Sequence, residues 1–401
     1  MTDATQRALS PDDVVLLSGV RTAIGTLGGA LAETPASDLA AAVIREAVAR
    51  AGIEPDQVDQ VILGCVGQVA EDAYIARHAS VKAGIPLGTP AYAVNRICGS
   101  GLEAIHEAAR WLALGDARIV VAGGAENMSR MPYYVRKGRF GYRYGDGALE
   151  DGTLDLVTDP FDDVPMGITA ENLAERYEVS RELQDEYALR SQERARRAID
   201  EGRFREQILP LEVRRGRETV LFDTDEHPRR TSAEALGRLR PAFRDEGSVT
   251  AGNSSGINDG AAAVVATTAR TAQELGLRPR LRLVARAEAG VEPRVMGSGP
   301  IPAIRRLLER SGLSLGEIDV VELNEAFAAV AAACSGELGL PEERTNPNGG
   351  AIALGHPVGA TGAILVVKLM HELERTGGRY GIASLCIGGG QGIASLVERA
   401  G

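Results

Sequence analysis

A chain of 401 residues, 44% hydrophobic and 25% charged, has material for two or three cores and a solvated surface. Its formal net charge of −11 argues against a general nucleic-acid or membrane-surface binder, and no apolar run is long enough to cross a bilayer. The polar, acidic start MTDATQRALSPDD lacks the regions of a signal peptide. Four dispersed cysteines, with no CxxC, and five histidines without ligand spacing point to neither disulfides nor a metal, so a cytoplasmic setting is expected.

In chain order, DVVLLSGV (13–20) predicts a buried strand and SDLAAAVIREAVARAG (37–52) a helix stopped by Gly52. VDQVILGCV (58–66) is a second strand, GLEAIHEAARWLALG (101–115) a second helix, and ARIVVAGG (117–124) a third strand running into glycines. Such alternation predicts an α/β sheet with helical crossovers. Residues 128–256 differ: they are rich in Arg, Asp, Gly and Pro, with one clear helix predicted at 180–202, capped by Ser180 and stopped by Gly202. GAAAVVATT (260–268) predicts a strand returning to the first sheet.

The C-terminal third repeats the opening plan. IPAIRRLLERSGLSLGEIDVVELNEA (301–326) echoes 37–66, GHPVGATGAILVVKLMHELERTGG (355–378) echoes the stretch after Arg96, and RYGIASLCIGGG (379–390) echoes 117–124. The offset is about 260 residues, far beyond a solenoid repeat, so the reading is a duplicated domain. The expected division is a first half over 1–127, completed by about 257–277, an inserted loop domain over 128–256, and a second half over 278–401.

NRICGSGLEAI (95–105) puts Cys98 where a helix begins. Free N–H groups and the helix dipole there favour thiolate, the reactive form, by roughly 0.3–1 kcal/mol, which is too little without a base. His356 lies in the glycine-rich stretch NPNGGAIALGHPVGATG (346–362), at the position that duplication pairs with the Cys98 turn. Two pseudo-symmetric halves packed together bring these turns face to face. Cys386 ends a buried strand before three glycines, whose N–H groups offer an oxyanion site. Asn324 and Glu325 stand at a strand-to-helix junction, where Asn324 also suits an N-cap. Cys65 and Cys334 read as core residues. The basic stretches VRKGRFGYR (135–143), RRGR (214–217) and HPRR (227–230) are either solvated surface or a dock for a phosphate-bearing small molecule.

NRICGSGLEAI, GGAENMSR, TAGNSSGINDGAAA, NEAFA, NPNGGAIALGHPVGATGA and CIGGGQG occur in this order, and together they resemble the thiolases over nearly the whole chain. The resemblance implies two βαβαβαββ halves in an αβαβα five-layer arrangement with an inserted loop domain. It implies Cys98 as the acyl-carrying nucleophile, His356 as its base and Cys386 as the acid/base for the substrate α-carbon. It further implies that Asn324, through a water, joins His356 in one oxyanion hole, and that the N–H groups of Cys98 and Gly388 form the other. Ser255 matches a contact to the pantetheine arm of coenzyme A; Ala251, Phe243, Met166, Ala326 and Phe327 match the lining of its tunnel, and Arg229 is the candidate for the phosphates. The implied reaction is reversible condensation of two acetyl-CoA to acetoacetyl-CoA and CoA, or thiolysis of 3-oxoacyl-CoA. The implied substrates are CoA thioesters, with no cofactor, and the implied assembly is a homodimer or homotetramer.

Pro165 departs from the histidine that short-chain biosynthetic thiolases carry before the MG pair; several degradative thiolases share PMG. Longer 3-oxoacyl-CoA or 3-oxoadipyl-CoA substrates therefore stay open. A β-ketoacyl synthase-type enzyme shares a cysteine at a helix start, but the second cysteine and NEAFA favour a thiolase. A non-catalytic, thiolase-like lipid-binding protein would not need all four reactive positions filled.

Overall fold

The computed structural model describes residues 8–400. The polar segment 1–7, which contributed to the signal-peptide argument, lies outside them. The first half runs β1 (Val14–Thr22), α1 (Ala36–Ala51), β2 (Gln60–Gly64), α2 (Ile75–Lys82), β3 (Ala91–Val94), α3 (Ser100–Leu114) and β4 (Ile119–Asn127). After a long excursion containing α4 (Met166–Arg176) and α5 (Arg181–Asp200), the chain returns as β5 (Asn258–Thr268). The second half runs β6 (Leu281–Gly290), α6 (Pro300–Ser311), β7 (Val320–Leu323), α7 (Ala328–Leu338), α8 (Thr361–Thr376), β8 (Tyr380–Ile387) and β9 (Gln391–Arg399).

Local chemistry sets the helix ends. Gly52 and Gly115 close α1 and α3 in the left-handed conformation, at φ of 72° and 76°. The Ser180 side chain accepts from Leu183 N to cap α5. The excursion holds two substantial helices where one was expected. α4 begins after Pro165 with no side-chain cap, and so lacks the start signal that makes α5 legible.

The main strand order is β7-β8-β9-β6-β1-β5-β4-β2-β3. The halves meet antiparallel at β1 and β6, through Val15 with Arg282 and Leu16 with Leu281. Outward from that seam the two sides mirror one another: β1-β5-β4-β2-β3 against β6-β9-β8-β7. The counterpart of β3 is reduced to one parallel bridge between Val321 and Thr345. α1 packs on β1, β4 and β5, and α6 packs on β6 and β9. α3 and α8 lie against each other, α3 on β2 and β4, α8 on β8 and β5, so helices pack along one continuous sheet that runs through both halves. β5 lies between β1 and β4, with Ala262 facing both Arg21 and Gly124.

Glycines let the middle helices approach. A Cβ on Gly362 would lie 2.3 Å from Leu102 N, and one on Gly101 would lie 2.9 Å from both Ala363 N and Gly359 O. Backbone thus meets backbone where the Cys98 turn faces the His356 loop. Among the described residues, no helix is long and apolar enough to cross a membrane.

Candidate active site

Cys98 sits in a tight turn between β3 and α3. Gly99 N and Ser100 N donate to Arg96 O and Ile97 O, each at 3.0 Å, and the Ser100 hydroxyl donates to Ile97 O at 2.7 Å. Ile97 is held at φ 44°, a conformation that costs a β-branched residue about 1–3 kcal/mol. The turn keeps Cys98 half-buried while Gly99 and Ser100 behind it are buried. A Cβ on Gly99 would strike Ile387 of β8 at 2.7 Å, so the turn lies directly against the Cys386 strand.

The expectation that the helix start favours thiolate is corrected here. Burial raises the Cys98 thiol to about 11; hydrogen bonds from the N–H groups of Gly388 and of Cys98 itself pull the other way, and the Glu126 charge adds to the rise. Desolvation outweighs the dipole because the sulfur is shielded from water by both halves. The same two N–H groups, from Gly388 and Cys98, flank the sulfur.

Cys386 is fully buried, its thiol pushed well up by burial and then by the nearby Cys98 and Cys334 sulfurs. Gly99 against Ile387, and the Gly388 N–H directed at Cys98, bring the chain around one sulfur against the chain around the other. Cys334 donates to Gly297 O at 3.4 Å, as a core thiol does.

His356 sits in a loop tied at several points. Its backbone N–H donates to Asn258 Oδ1 at 2.9 Å. Nδ1 is 2.6 Å from Thr361 Oγ1, whose hydroxyl donates to Pro357 O at 2.9 Å. We assign the tautomer from this chain: Thr361 has spent its proton, so it accepts from Nδ1–H and leaves a lone pair on Nε2. Asn324 Nδ2 donates to that lone pair at 3.3 Å. Asn324 Oδ1 is buried without a hydrogen-bond partner among the described residues, which leaves an acceptor for a bound water or substrate. Burial lowers His356 to about 4, so the ring is neutral at pH 7 and able to take a proton.

The substrate-tunnel candidates gather beside these groups. Phe243 and Phe327 meet edge to face with centroids 6.3 Å apart. The Phe243 ring fills the space a side chain on Gly167 would need, next to Met166. Met166 Cε would be 3.0 Å from a Cβ on Gly388, so this methionine borders the Cys98 site. Ser255 N donates to Ala326 O at 3.0 Å, and Ser254 bridges Phe327. Ala251 lies exposed on the same turn as Ser255. Arg229 is exposed, with its guanidinium 3.5 Å from His227 Nε2 and its backbone N–H bound to Gln192. It does not touch the sulfurs; it lines a cleft with Arg196, Arg197 and Arg230. In the first basic stretch, Arg136 is occupied by Glu150 and Asp155.

Sequence reading missed Glu126, Asn258 and Phe161. Glu126 and Asn258 lie inside the quoted GGAENMSR and GINDGAAA stretches; neither resembles a reactive side chain, and each acts by holding backbone. Phe161 is 67% exposed and lies 3.7 Å from where a Cβ on Gly389 would be, a proximity that no spacing rule reveals. Ligand spacing also overlooked one cluster, in which Glu103, His106 and Glu288 bring their ligand atoms within 4.8 Å of one another. Its carboxylates are already paired: Arg110 reaches Glu103 at 2.7 Å and Glu288 at 3.2 Å, and Arg96 reaches Glu103 at 2.8 Å.

Residues 14–270 match the family model for the thiolase N-terminal domain and residues 277–399 that for the thiolase C-terminal domain. Beta-ketothiolase BktB of Cupriavidus necator is 50% identical over 391 residues, covering 96% of this chain and 99% of that protein. An acetyl-CoA acetyltransferase of Pseudomonas aeruginosa is 50% identical over 390 residues, with coverage of 96% and 99%. Among solved structures, the Bacillus anthracis acetyl-CoA acetyltransferase superposes with a TM-score of 0.96 at 47% identity, covering 98% of this chain and all of that one. Human mitochondrial 3-ketoacyl-CoA thiolase in complex with CoA superposes at 0.94 and 41% identity, with coverage of 98% and 100%. With both halves matched and relatives aligned end to end, the chain belongs to the thiolase family.

Proposed function

We propose that this thiolase transfers acyl groups between CoA thioesters through an acyl-cysteine at Cys98, condensing two acetyl-CoA to acetoacetyl-CoA and CoA or running the thiolysis in reverse. The reading is supported by a sulfur flanked by two N–H donors and, on a loop whose backbone packs against the helix that follows that sulfur, a neutral imidazole whose Nε2 lone pair is free of a proton.

His356 Nε2 takes the Cys98 proton as the sulfur attacks the thioester carbonyl. The carbonyl oxygen gathers charge against the N–H groups of Cys98 and Gly388, and CoA thiolate leaves with the proton. A thioester exchanged for a thioester is nearly balanced, which keeps the acyl group activated; a serine would trap it as an oxyester. A second acetyl-CoA then binds; Cys386 passes its thiol proton to His356 Nε2 and, as thiolate, removes the α-proton. The enolate oxygen accepts from His356 Nε2–H and from a water held by Asn324, and the α-carbon attacks acyl-Cys98, whose departing thiolate takes the proton back from His356 as 3-oxoacyl-CoA is released. Preorganised donors of this kind are worth about 3–4 kcal/mol each.

The pantetheine arm runs past Ser255, Ala251, Phe243, Met166, Ala326 and Phe327, and Arg229 serves the phosphates. No cofactor takes part. The functional division is a first half at 1–127 with 257–277, a CoA-binding insertion at 128–256 and a second half at 278–401. The enzyme works in the cytoplasm as a homodimer or homotetramer. Cys98→Ala is expected to abolish covalent labelling by radioactive acetyl-CoA, and stable labelling of that variant would move the nucleophile elsewhere. Comparing kcat/KM for thiolysis of acetoacetyl-, 3-oxohexanoyl- and 3-oxoadipyl-CoA decides the chain length that Pro165 leaves open.

A further inference from the structure

Glu126 is the penultimate residue of β4 and is 1% exposed. Its carboxylate accepts from Val66 N at 2.9 Å and Gly67 N at 2.8 Å, in the turn after β2. It also accepts from Gly359 N at 2.9 Å, three residues beyond His356 in the other half. The Cys65 thiol donates to it at 3.7 Å. One carboxylate thus joins the two halves beside the site. A Cβ on Gly359 would lie 2.6 Å from it, and one on Gly124 would lie 2.1 Å from Gly359 O, so the loop is seated directly against the end of β4.

A stitch made only for packing would not need a charge, because burying an unpaired carboxylate costs several kcal/mol. Burial raises the Glu126 carboxyl above its ordinary value, and the three N–H donors pull it back toward the ionised form. That charge adds a minor rise to the Cys98 thiol, which burial raises most. The other titratable group on Glu126 is Cys65, on the turn after β2; beyond it lies Asp72, which acts on Cys65.

We propose that Glu126 is a positioning residue: it ties the 65–67 turn to Gly359 in the other half, so fixing the loop that carries His356 for its work on Cys98. The inference rests on the assignment of Cys98 as nucleophile.

The test uses the full chain and follows the rate of iodoacetamide alkylation at Cys98 against pH, mapped by peptide mass, together with kcat and KM for acetoacetyl-CoA thiolysis. Glu126→Gln removes the charge and turns one acceptor into a donor facing N–H groups. It is expected to lower kcat about 100-fold with little change in KM, while the alkylation profile stays close to wild type. Less turnover with the Cys98 thiol unchanged is a signature that general loosening does not produce. Glu126→Asp keeps the charge and withdraws it by one methylene, so kcat falls while the alkylation profile stays. Wild-type kcat in either variant, or a strongly shifted profile in Glu126→Gln, overturns the proposal. If Glu126→Gln does not fold, Glu126→Asp decides the tie by its kcat. A wild-type Cys98 that resists alkylation at every pH instead contradicts the nucleophile assignment.

Discussion

At the scale of single residues, the site is built to hold its protons until they are needed. Cys98, raised to about 11, is a thiol at pH 7, and His356, lowered to about 4, is a free base. The pair is therefore neutral at rest, unlike the thiolate–imidazolium pairs of some cysteine enzymes. Alkylation of the free enzyme should climb continuously as pH rises through 8 toward about 11; a plateau already reached at pH 6 would mean a resting ion pair. His356→Ala should lower kcat by about 10²–10⁴-fold while leaving alkylation at high pH intact, and a loss of both would make the histidine structural. The identities of these residues were legible in the sequence because reactive side chains among glycines are conspicuous. Their protonation was not legible, since it depends on burial by a half of the chain more than 200 residues away. Glu126 and Asn258 escaped notice for a related reason: they act on backbone N–H groups, and no residue pattern marks which N–H groups will lie nearby.

At the scale of elements, the site is a meeting of the strand-to-helix turn at Cys98 with the loop that leads into α8, and glycine sets the distance. Gly362→Ala would drive a methyl group to 2.3 Å from Leu102 N. Backbone cannot yield there as a flexible side chain could, so the variant should lose about 1–3 kcal/mol, read as a lowered denaturant midpoint, along with its activity. Unchanged stability would show that α3 and α8 slide apart freely. The His356 loop is held from both sides. Asn346, at φ 47°, accepts from Leu323 N at 2.9 Å and donates to Leu323 O at 2.8 Å, fixing the end of β7 beside Asn324. Glu325 accepts from Asn346 Nδ2 at 2.8 Å and from Ser191 Oγ at 2.6 Å, fastening the loop to α5. Helices and strands with full periodicity and glycine stops were legible to within a few residues. α4 and the strain at Ile97 were not, because an uncapped helix start and an enforced positive φ come from tertiary packing.

At the scale of the whole molecule, the duplication brings the reactive groups together. The repeated order of elements was readable from the sequence; the seam at β1 and β6 needed coordinates. A second tie between the halves lies along α3. Burial keeps the His106 ring neutral, and it joins Ser395 of β9 at 2.6 Å and Glu288 of β6 at 3.3 Å. That hydrogen bond, and the cations nearby, hold Glu288 at about 2. A carboxyl depressed in this way adds stability above its unfolded value near 4.5, and that stability is lost as pH falls toward about 2. The buried neutral His106 acts in the same direction, since acid must charge it. Acid unfolding of Glu288→Gln should therefore begin from lower stability at pH 7 and fall less steeply below pH 5; a curve parallel to wild type would remove Glu288 from the tie. Charge reversal at Arg229 should raise KM for acyl-CoA more than it lowers kcat, and an unchanged KM would return that arginine to the solvated surface.

The most direct measurement follows both half-reactions in Cys386→Ser. With acetyl-CoA in heavy water, mass analysis of the peptide carrying Cys98 reports acyl loading, and deuterium in the acetyl methyl group reports carbon deprotonation. One acetyl group on Cys98 at close to the wild-type rate, with deuterium uptake and condensation suppressed together, is the predicted result. Equal loss of loading and exchange, or exchange at the wild-type rate, would contradict the division of labour between the two sulfurs.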